Sequence, residues 1–262
     1  MLRLSTLFAF LLCLPGFVTA KTAALVIGNN DYQALPPLAV AVADAKSHCR
    51  HLTEVRQFES VNCLYDATKS QMDAAVFEFL RTLKPGDTAM VVFSGHGVQL
   101  DPNNPETVFL IPTDLSREQL EPGLEEFSLR KHAIQFEEIR AAVRRRGVRL
   151  SVFVLDNCRD NPLADNATRT LSAADGMGRV PADRGEFIFF SAAEGEVAFD
   201  RIEDNDANSP FTTAFLEAFQ PNVPLTSVAN FVEKAVLTRT REAGLPPQRP
   251  RYDDNVEGPG CI

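Results

Sequence analysis

Residues 88–97 read TAMVVFSGHG, an apolar run followed at once by the polar sequence Ser-Gly-His-Gly. The run is apolar on both faces, which is typical of a strand in the interior of a parallel sheet. A second run of this kind, LSVFVL at 150–155, is followed by Asp156-Asn157-Cys158. Because α/β sheets bind ligands at the carboxyl ends of their strands, we expect both polar sequences at one site if the two strands are neighbours.

The rest of the chain alternates apolar strands with amphipathic helices. Strands are also predicted at 22–27, 61–64, 108–111 and 186–191, and helices at 40–55, 70–83, 134–145, 209–219 and 226–243. Ser70 is the expected cap of the second helix. Residues 99–133 are otherwise less regular, 159–185 are predicted as a long loop, and Pro-rich coil follows residue 243. This alternation predicts an α/β fold with a mostly parallel sheet and helices on both faces.

The composition is that of an ordinary globular protein. Of the 262 residues, 45% are hydrophobic and 23% are charged, which is enough for a sizeable core in one large domain or two small ones. The formal net charge is −9. Since nucleic-acid phosphates require a basic surface, nucleic acid is not an expected partner.

The N-terminus has the pattern of a secretory signal peptide. Arg3 supplies a positive charge, residues 7–18 form an apolar stretch, and Val18-Thr19-Ala20 supplies small side chains for cleavage. We expect residues 1–20 to be removed and the mature protein to be secreted or periplasmic. An uncleaved membrane anchor is the less favoured alternative, because the apolar stretch has roughly 12 residues and a spanning helix needs about 20.

The cysteines allow one disulfide beside a reactive thiol. Cys13 leaves with the signal peptide, and Cys49, Cys63, Cys158 and Cys261 remain. If Cys158 stays reduced, Cys49–Cys63 is the preferred pair, because a helix and the following strand can bring these residues close. The geometry that decides whether they are bonded is not visible in the sequence.

His96 and Cys158 are the candidate catalytic pair. A free thiol has a pKa of about 8.5, so little thiolate forms at neutral pH unless a neighbouring imidazole takes the proton. The thiolate can attack a carbonyl carbon, and the imidazole can return the proton to the leaving amine. The oxyanion formed in this attack needs backbone N–H donors, for which the amides of Gly97 and Cys158 are the candidates.

Each of these signals is weak alone, because most Gly-His-Gly sequences are turns and most cysteines after strands are core residues. Together they coincide with a resemblance to the caspase-like peptidases of bacteria, relatives of the metacaspases in peptidase family C14. The matching pieces are TAALVIGNNDY at 22–32, VADA at 42–45, VVFSGHG at 91–97, FLIPTD at 109–114, VLDNCRDNP at 154–162, FIFFSAAEGEVAFD at 187–200 and SPFTTAFLEAF at 209–219.

The resemblance implies a caspase-like fold and a cysteine endopeptidase with His96 as base and Cys158 as nucleophile. We place the peptidase domain at 21–245 and a C-terminal tail at 246–262. The animal caspase signature Gln-Ala-Cys-x-Gly is absent, and Asp156 stands two residues before the nucleophile. In metacaspase-like enzymes a carboxylate there helps to form an acidic pocket for Arg or Lys, and Asp44 and Ser94 resemble the other residues of that pocket.

The resemblance also bears on partners and cofactors. Protein or peptide substrates are expected and no cofactor is required. Calcium stays an open alternative, since some metacaspases bind it and Asp204-Asn205-Asp206 offers carboxylates without a full ligand spacing. The oligomeric state is open.

Two other functions are alternatives to the endopeptidase. One is a catalytically weak caspase-like domain that acts as a partner-binding or regulatory module; the presence of both His96 and Cys158 argues against it without excluding it. The other is a cofactor-dependent enzyme, which is disfavoured because Gly28-Asn29-Asn30 is not a Gly-rich dinucleotide loop.

Overall fold

The structure of the protein is a computed structural model that describes residues 20–101, 103–121, 123–158, 180–193, 196–258 and 260–262, with Cys158 described through its backbone. The predicted signal peptide at 1–20 and the predicted loop at 159–185 lie mostly outside these residues.

Eight strands are present in the described part of the chain. They are β1 (Thr22–Gly28), β2 (Ser60–Tyr65), β3 (Thr88–Gln99), β4 (Val108–Leu110), β5 (Ile134–Gln135), β6 (Leu150–Cys158), β7 (Glu186–Phe190) and β8 (Arg251–Asp254). The main path of the sheet runs β2-β1-β3-β6-β7-β8, parallel from β2 to β7 and antiparallel between β7 and β8. β4 pairs with the end of β3 and with β5. The predicted α/β fold with a mostly parallel sheet is confirmed.

Helices cover both faces of this sheet. They are α1 (Ala41–Glu54), α2 (Lys69–Thr82), α3 (Glu125–His132), α4 (Phe136–Arg145), α5 (Pro210–Ala218) and α6 (Leu225–Glu242). α2 and α4 contribute to the hydrophobic core on one face, and α1, α5 and α6 to the core on the other. Within β3, Ala89, Val91 and Phe93 enter the first core and Met90 and Val92 the second, because successive side chains of a strand point to opposite faces.

Several element boundaries differ from the prediction. The predicted strands at 88–93 and 150–155 continue to Gln99 and Cys158, because β3 pairs with β6 as far as His96 and Cys158, and residues 97–99 of β3 then pair with β4. α3 was not predicted, because its sequence EEFSLRKH is mostly charged and lacks a clear apolar period. The Pro-rich segment predicted as coil contains β8, an edge strand of polar sequence RYDD.

The cap of α2 is Thr68, so the prediction of Ser70 is wrong. The Thr68 hydroxyl accepts from the Gln71 N–H at 3.4 Å, and the Gln71 Oε1 accepts from the Thr68 N–H at 2.9 Å. This reciprocal pair is a capping box, whose three-residue spacing Ser70 does not have with a Glu or Gln.

A disulfide joins α1 to β2. It links Cys49 to Cys63, whose Cα atoms are 6.4 Å apart, so the preferred pairing is confirmed. Within the described residues, no helix is both long enough and apolar enough to cross a membrane.

Candidate active site

The register between β3 and β6 brings the two candidate catalytic residues together. Ser94 is the Cα partner of Asp156, and His96 is the Cα partner of Cys158. β1 ends at Gly28, opposite Ser94, so this part of β3 extends beyond the neighbouring strand. Adjacent strands lie about 4.8 Å apart, and the backbones of His96 and Cys158 are therefore neighbours at the carboxyl end of the sheet.

His96 is held through both its backbone and its ring. Its backbone N–H donates to the Tyr32 hydroxyl at 2.8 Å, and the two rings lie 4.6 Å apart between centroids. The ring Nε2 is 2.8 Å from the Pro36 carbonyl oxygen. A carbonyl oxygen only accepts, so Nε2 carries the proton and Nδ1 is the basic nitrogen of the neutral imidazole.

Two glycines flank His96, and close neighbours occupy the space of a side chain at both. A Cβ at Gly95 would lie 2.5 Å from the Tyr32 hydroxyl oxygen, and one at Gly97 would clash with the Asn157 amide nitrogen. Both positions thus require glycine for a steric reason. The proposed oxyanion role of the Gly97 and Cys158 amides stays a prediction.

The three residues predicted to form an acidic pocket line one small cavity beside His96. Asp44 comes from α1, Ser94 from β3 and Asp156 from β6. The cavity is also lined by Leu38, Ala41, Gly95, Phe199, Asp200 and Ser209. The structure therefore brings the predicted pocket residues together and adds a third carboxylate, that of Asp200.

Asp44 is buried and well hydrogen-bonded. Its Oδ1 accepts from the Asn208 side-chain amide and from the Ser209 backbone N–H, both at 2.9 Å, and its Oδ2 accepts from the Ser94 hydroxyl at 3.3 Å. Burial raises the pKa of Asp44 well above its usual range, and the negative charge of Asp156 raises that pKa further.

Asp156 is 6% exposed. One of its oxygens, Oδ2, accepts from the Ser209 hydroxyl at 2.5 Å and from the Thr212 hydroxyl at 2.9 Å. Burial raises the pKa of Asp156 to about 6, the charge of Asp200 adds to the rise, and the hydroxyl donors oppose it.

Asp200 is the pocket residue that the sequence analysis missed. Its carboxylate accepts from the backbone N–H groups of Ala39 at 2.5 Å and Val40 at 3.2 Å, next to the start of α1. A signal was available, because Asp200 is the last residue of FIFFSAAEGEVAFD at 187–200. That piece supported the resemblance without any role being given to its final carboxylate.

Three carboxylates around one cavity favour a cationic guest. Asp44 and Asp156 repel each other when both are ionised, and a guanidinium or ammonium between them would relieve that repulsion while donating hydrogen bonds. The chemistry of the cavity lining is therefore suited to a positively charged group.

His48 and His51 lie on α1 and contact Thr212 of α5 and Phe219 at its C-terminal end. His48 is completely buried, and its Nε2 lies 3.3 Å from the Thr212 hydroxyl oxygen. Burial lowers the pKa of His48 to about 3, so its ring is neutral. His51 is half-buried, and its Nε2 donates to the Phe219 carbonyl oxygen at 2.7 Å. Both rings pack between α1 and α5.

In the candidate calcium segment, the carboxylates of Asp204 and Asp206 interact with neighbouring residues of the same segment. Asp204 pairs with Arg201 at 3.1 Å, and Asp206 accepts from the Glu203 N–H at 2.9 Å. In the part of the chain that the structure describes, no three His, Cys, Asp or Glu side chains are grouped to hold a metal ion.

Comparison with known proteins gives consistent matches. The family model of the caspase domain of C14 peptidases matches residues 21–254. The chain is 28% identical over 225 residues to the human mucosa-associated lymphoid tissue lymphoma translocation protein 1, and equally so to its mouse homolog. These matches cover 84% of this chain but 25% of the human and 24% of the mouse protein. The chain thus spans about a quarter of the length of the curated relatives it matches.

Proposed function

Because this chain belongs to the caspase-domain family of cysteine peptidases, we propose that it hydrolyses peptide bonds with Cys158 as nucleophile and His96 as base. The observation that carries the proposal is the strand register, in which these two residues are Cα partners. The hydrogen bond from His96 Nε2 to the Pro36 carbonyl supports it, since it places the ring proton on Nε2 and makes Nδ1 the basic nitrogen.

The proposed reaction has two halves. His96 Nδ1 takes the Cys158 thiol proton, the thiolate adds to the scissile carbonyl carbon, and the oxyanion is stabilised by backbone N–H groups. The imidazolium then protonates the leaving amine nitrogen as the C–N bond breaks, which leaves a thioester. Water next attacks the thioester while His96 takes its proton, and the returning proton restores the thiol as the acid product leaves.

The proposed substrates are proteins or peptides with Arg or Lys before the scissile bond. Asp44, Asp156 and Asp200 support this proposal, because they surround the cavity beside His96 with negative charge. A neutral side chain in that cavity would leave the buried carboxylates without a counter-charge, and it would be disfavoured for that reason.

The proposed location is outside the cytoplasm. Residues 1–20 are proposed to act as a signal peptide that is removed, with the mature chain beginning near Lys21. No cofactor is included in the proposed mechanism, and calcium dependence would be a separate property.

A labelling experiment tests nucleophile and specificity together. A peptidyl-arginyl chloromethylketone should alkylate Cys158 of the full chain, and peptide mapping should locate the adduct there. Cys158→Ala should abolish both labelling and cleavage of a reporter peptide with Arg before the scissile bond. Cys261→Ala is the matched control, because Cys261 lies outside the disulfide and the cavity, and it should cleave the reporter like the wild type.

An adduct on Cys261, or undiminished cleavage by Cys158→Ala, would reject the proposed nucleophile. A wild-type chain that neither reacts nor cleaves would favour the partner-binding module instead.

A further inference from the structure

The first turn of α5 connects two carboxylates that come from different parts of the fold. The Ser209 backbone N–H donates to Asp44 Oδ1 at 2.9 Å, and the Ser209 hydroxyl donates to Asp156 Oδ2 at 2.5 Å. The Thr212 hydroxyl donates to the same oxygen of Asp156 at 2.9 Å. Ser209 thus contacts both carboxylates, one through its backbone and the other through its side chain.

The Ser209 hydroxyl accepts one hydrogen bond from the helix backbone and donates its single proton to Asp156. Ser209 is the N-cap of α5, and its oxygen accepts from the Thr212 backbone N–H at 2.9 Å. With the oxygen used as the helix cap, the single hydroxyl proton points to Asp156. The same hydroxyl therefore begins the helix and orients the carboxylate.

The Thr212 hydroxyl is oriented in a similar way. Its proton goes to Asp156, so the neutral ring of His48 approaches its oxygen from the other side as a donor through Nε2. His48, Thr212 and Asp156 then form a chain of hydrogen bonds that ends on the carboxylate. His48 and Thr212 are completely buried, which keeps water from replacing either donor.

We propose that Ser209, assisted by Thr212, is a positioning residue for substrate specificity, which holds the Asp44 and Asp156 carboxylates in the spacing that accepts an Arg or Lys side chain. The inference rests on the proposed function and extends it to residues with no part in bond cleavage. Two buried like charges repel each other, and hydrogen-bond donors shared between them counter that repulsion.

The proposal has a consequence for pH. The charged and titratable groups around Asp156 are Asp44 and His48 on α1, Asp200 before α5, and His96 on β3. The Ser209 hydroxyl lowers the pKa of Asp156 against the effect of burial. Its removal should raise that pKa above about 6, so that a larger fraction of Asp156 is neutral near pH 6 to 7.

The test compares Ser209→Ala, Ser209→Thr and Thr68→Ala in the full chain. Thr68 is the matched control, because it is the hydroxyl N-cap of α2 and contacts neither carboxylate. kcat/KM is measured from pH 5.5 to 8.5 on two reporter peptides that differ only in having Arg or a neutral residue before the scissile bond.

Ser209→Ala should lower the Arg-to-neutral ratio of kcat/KM at pH 7 by about tenfold, the size of one hydrogen bond to a charged group. The acidic limb of its profile of kcat/KM against pH, measured on the Arg peptide, should move to higher pH because the pKa of Asp156 rises. Ser209→Thr keeps the hydroxyl, so it should keep the wild-type Arg-to-neutral ratio and the wild-type acidic limb. Thr68→Ala should lower Tm, as expected for a lost cap, and leave the ratio and the acidic limb in place.

A wild type that does not prefer the Arg peptide would overturn the proposed specificity itself. A wild type that prefers it, with an unchanged ratio and profile in Ser209→Ala, would overturn the role of Ser209 alone. If Ser209→Ala does not fold, Thr212→Val decides, because it removes a donor to Asp156 while keeping the helix cap and nearly the same volume. An unchanged ratio and profile in that variant would likewise reject the proposal.

Discussion

Asp156 is useful to the proposed specificity in its ionised form, but ionising this buried carboxylate lowers the stability of the fold. Its pKa is raised by burial from the ordinary value of 3.8 to about 6. Between these two values the folded state binds a proton that the unfolded state releases, so stability is lost as pH rises through this window. At pH 7 the loss reaches about 3 kcal/mol if the raised pKa acts alone.

Asp156→Asn is therefore expected to become more stable relative to the wild type as pH rises. The difference in unfolding free energy between variant and wild type should shift in favour of the variant by up to about 3 kcal/mol between pH 4 and pH 7, because the amide does not ionise. Urea denaturation at several pH values measures this shift. The same variant should prefer Arg peptides less strongly.

Parallel stability curves for Asp156→Asn and the wild type would show that the carboxylate titrates alike in the folded and unfolded states. An unchanged preference for Arg would remove Asp156 from the proposed pocket.

At the scale of elements, the disulfide connects a helix that carries a pocket residue to the edge of the sheet. Cys49 is on the same helix, α1, as Asp44, and Cys63 is on the outer strand β2. The Cys49 side chain also packs in the core between α1 and the sheet, beside Leu52 and Phe58. The covalent link thus supports the noncovalent packing that places α1 beside the cavity.

Replacing Cys49 and Cys63 together by Ala should lower the unfolding free energy by about 3 kcal/mol, because a cross-link over 14 residues restricts the unfolded chain. Guanidinium denaturation measures the change. Cys261→Ala is the control and should change stability by no more than about 0.5 kcal/mol. A reducing agent should bring the wild type toward the double variant and leave the double variant unaffected; equal stability of all forms would contradict a structural role for the disulfide.

At the scale of the whole molecule, the C-terminal segment supplies the edge strand β8 and also contacts residues near the site. β8 covers the edge of the apolar strand β7, and Tyr252 stacks on Phe187 at 5.2 Å between ring centroids. The buried Gln248 side chain donates to the Ser191 carbonyl oxygen at 2.8 Å and accepts from the Phe199 N–H at 3.1 Å. Phe199 lines the acidic cavity, so its hydrogen bond to Gln248 connects this segment to the cavity lining.

Two truncations should separate the roles of this segment. A chain ending at Leu245 loses Gln248 and β8, which exposes the edge of β7, and it should unfold at a lower temperature and aggregate on heating. A chain ending at Asn255 keeps both and should be closer in Tm to the full chain. Thermal unfolding with light scattering compares them, and equal Tm values for the two truncations would show that β8 does not stabilise the sheet.

The local patterns in the sequence were sufficient for much of the fold. Residues Ala89 to Phe93 alternate between the two cores of the protein. A strand that is apolar on both faces can bury both faces only in a sheet that is covered by helices on both sides, which is typical of parallel sheets. The same patterns failed for α3 and β8, whose polar sequences carry little of the hydrophobic period on which such predictions depend.

The sequence by itself determined the alternation of strands and helices, the candidate pair of His96 and Cys158, and the cysteines available for a disulfide. Only the tertiary structure decided that these two residues share one register, that Asp200 lies in the cavity with Asp44 and Asp156, and that Ser209 contacts both Asp44 and Asp156. The reason is physical. Side-chain periodicity is a local property, whereas contacts such as those of Ser209, 53 positions from Asp156 and 165 from Asp44, depend on strand register and helix packing, which the whole chain sets together.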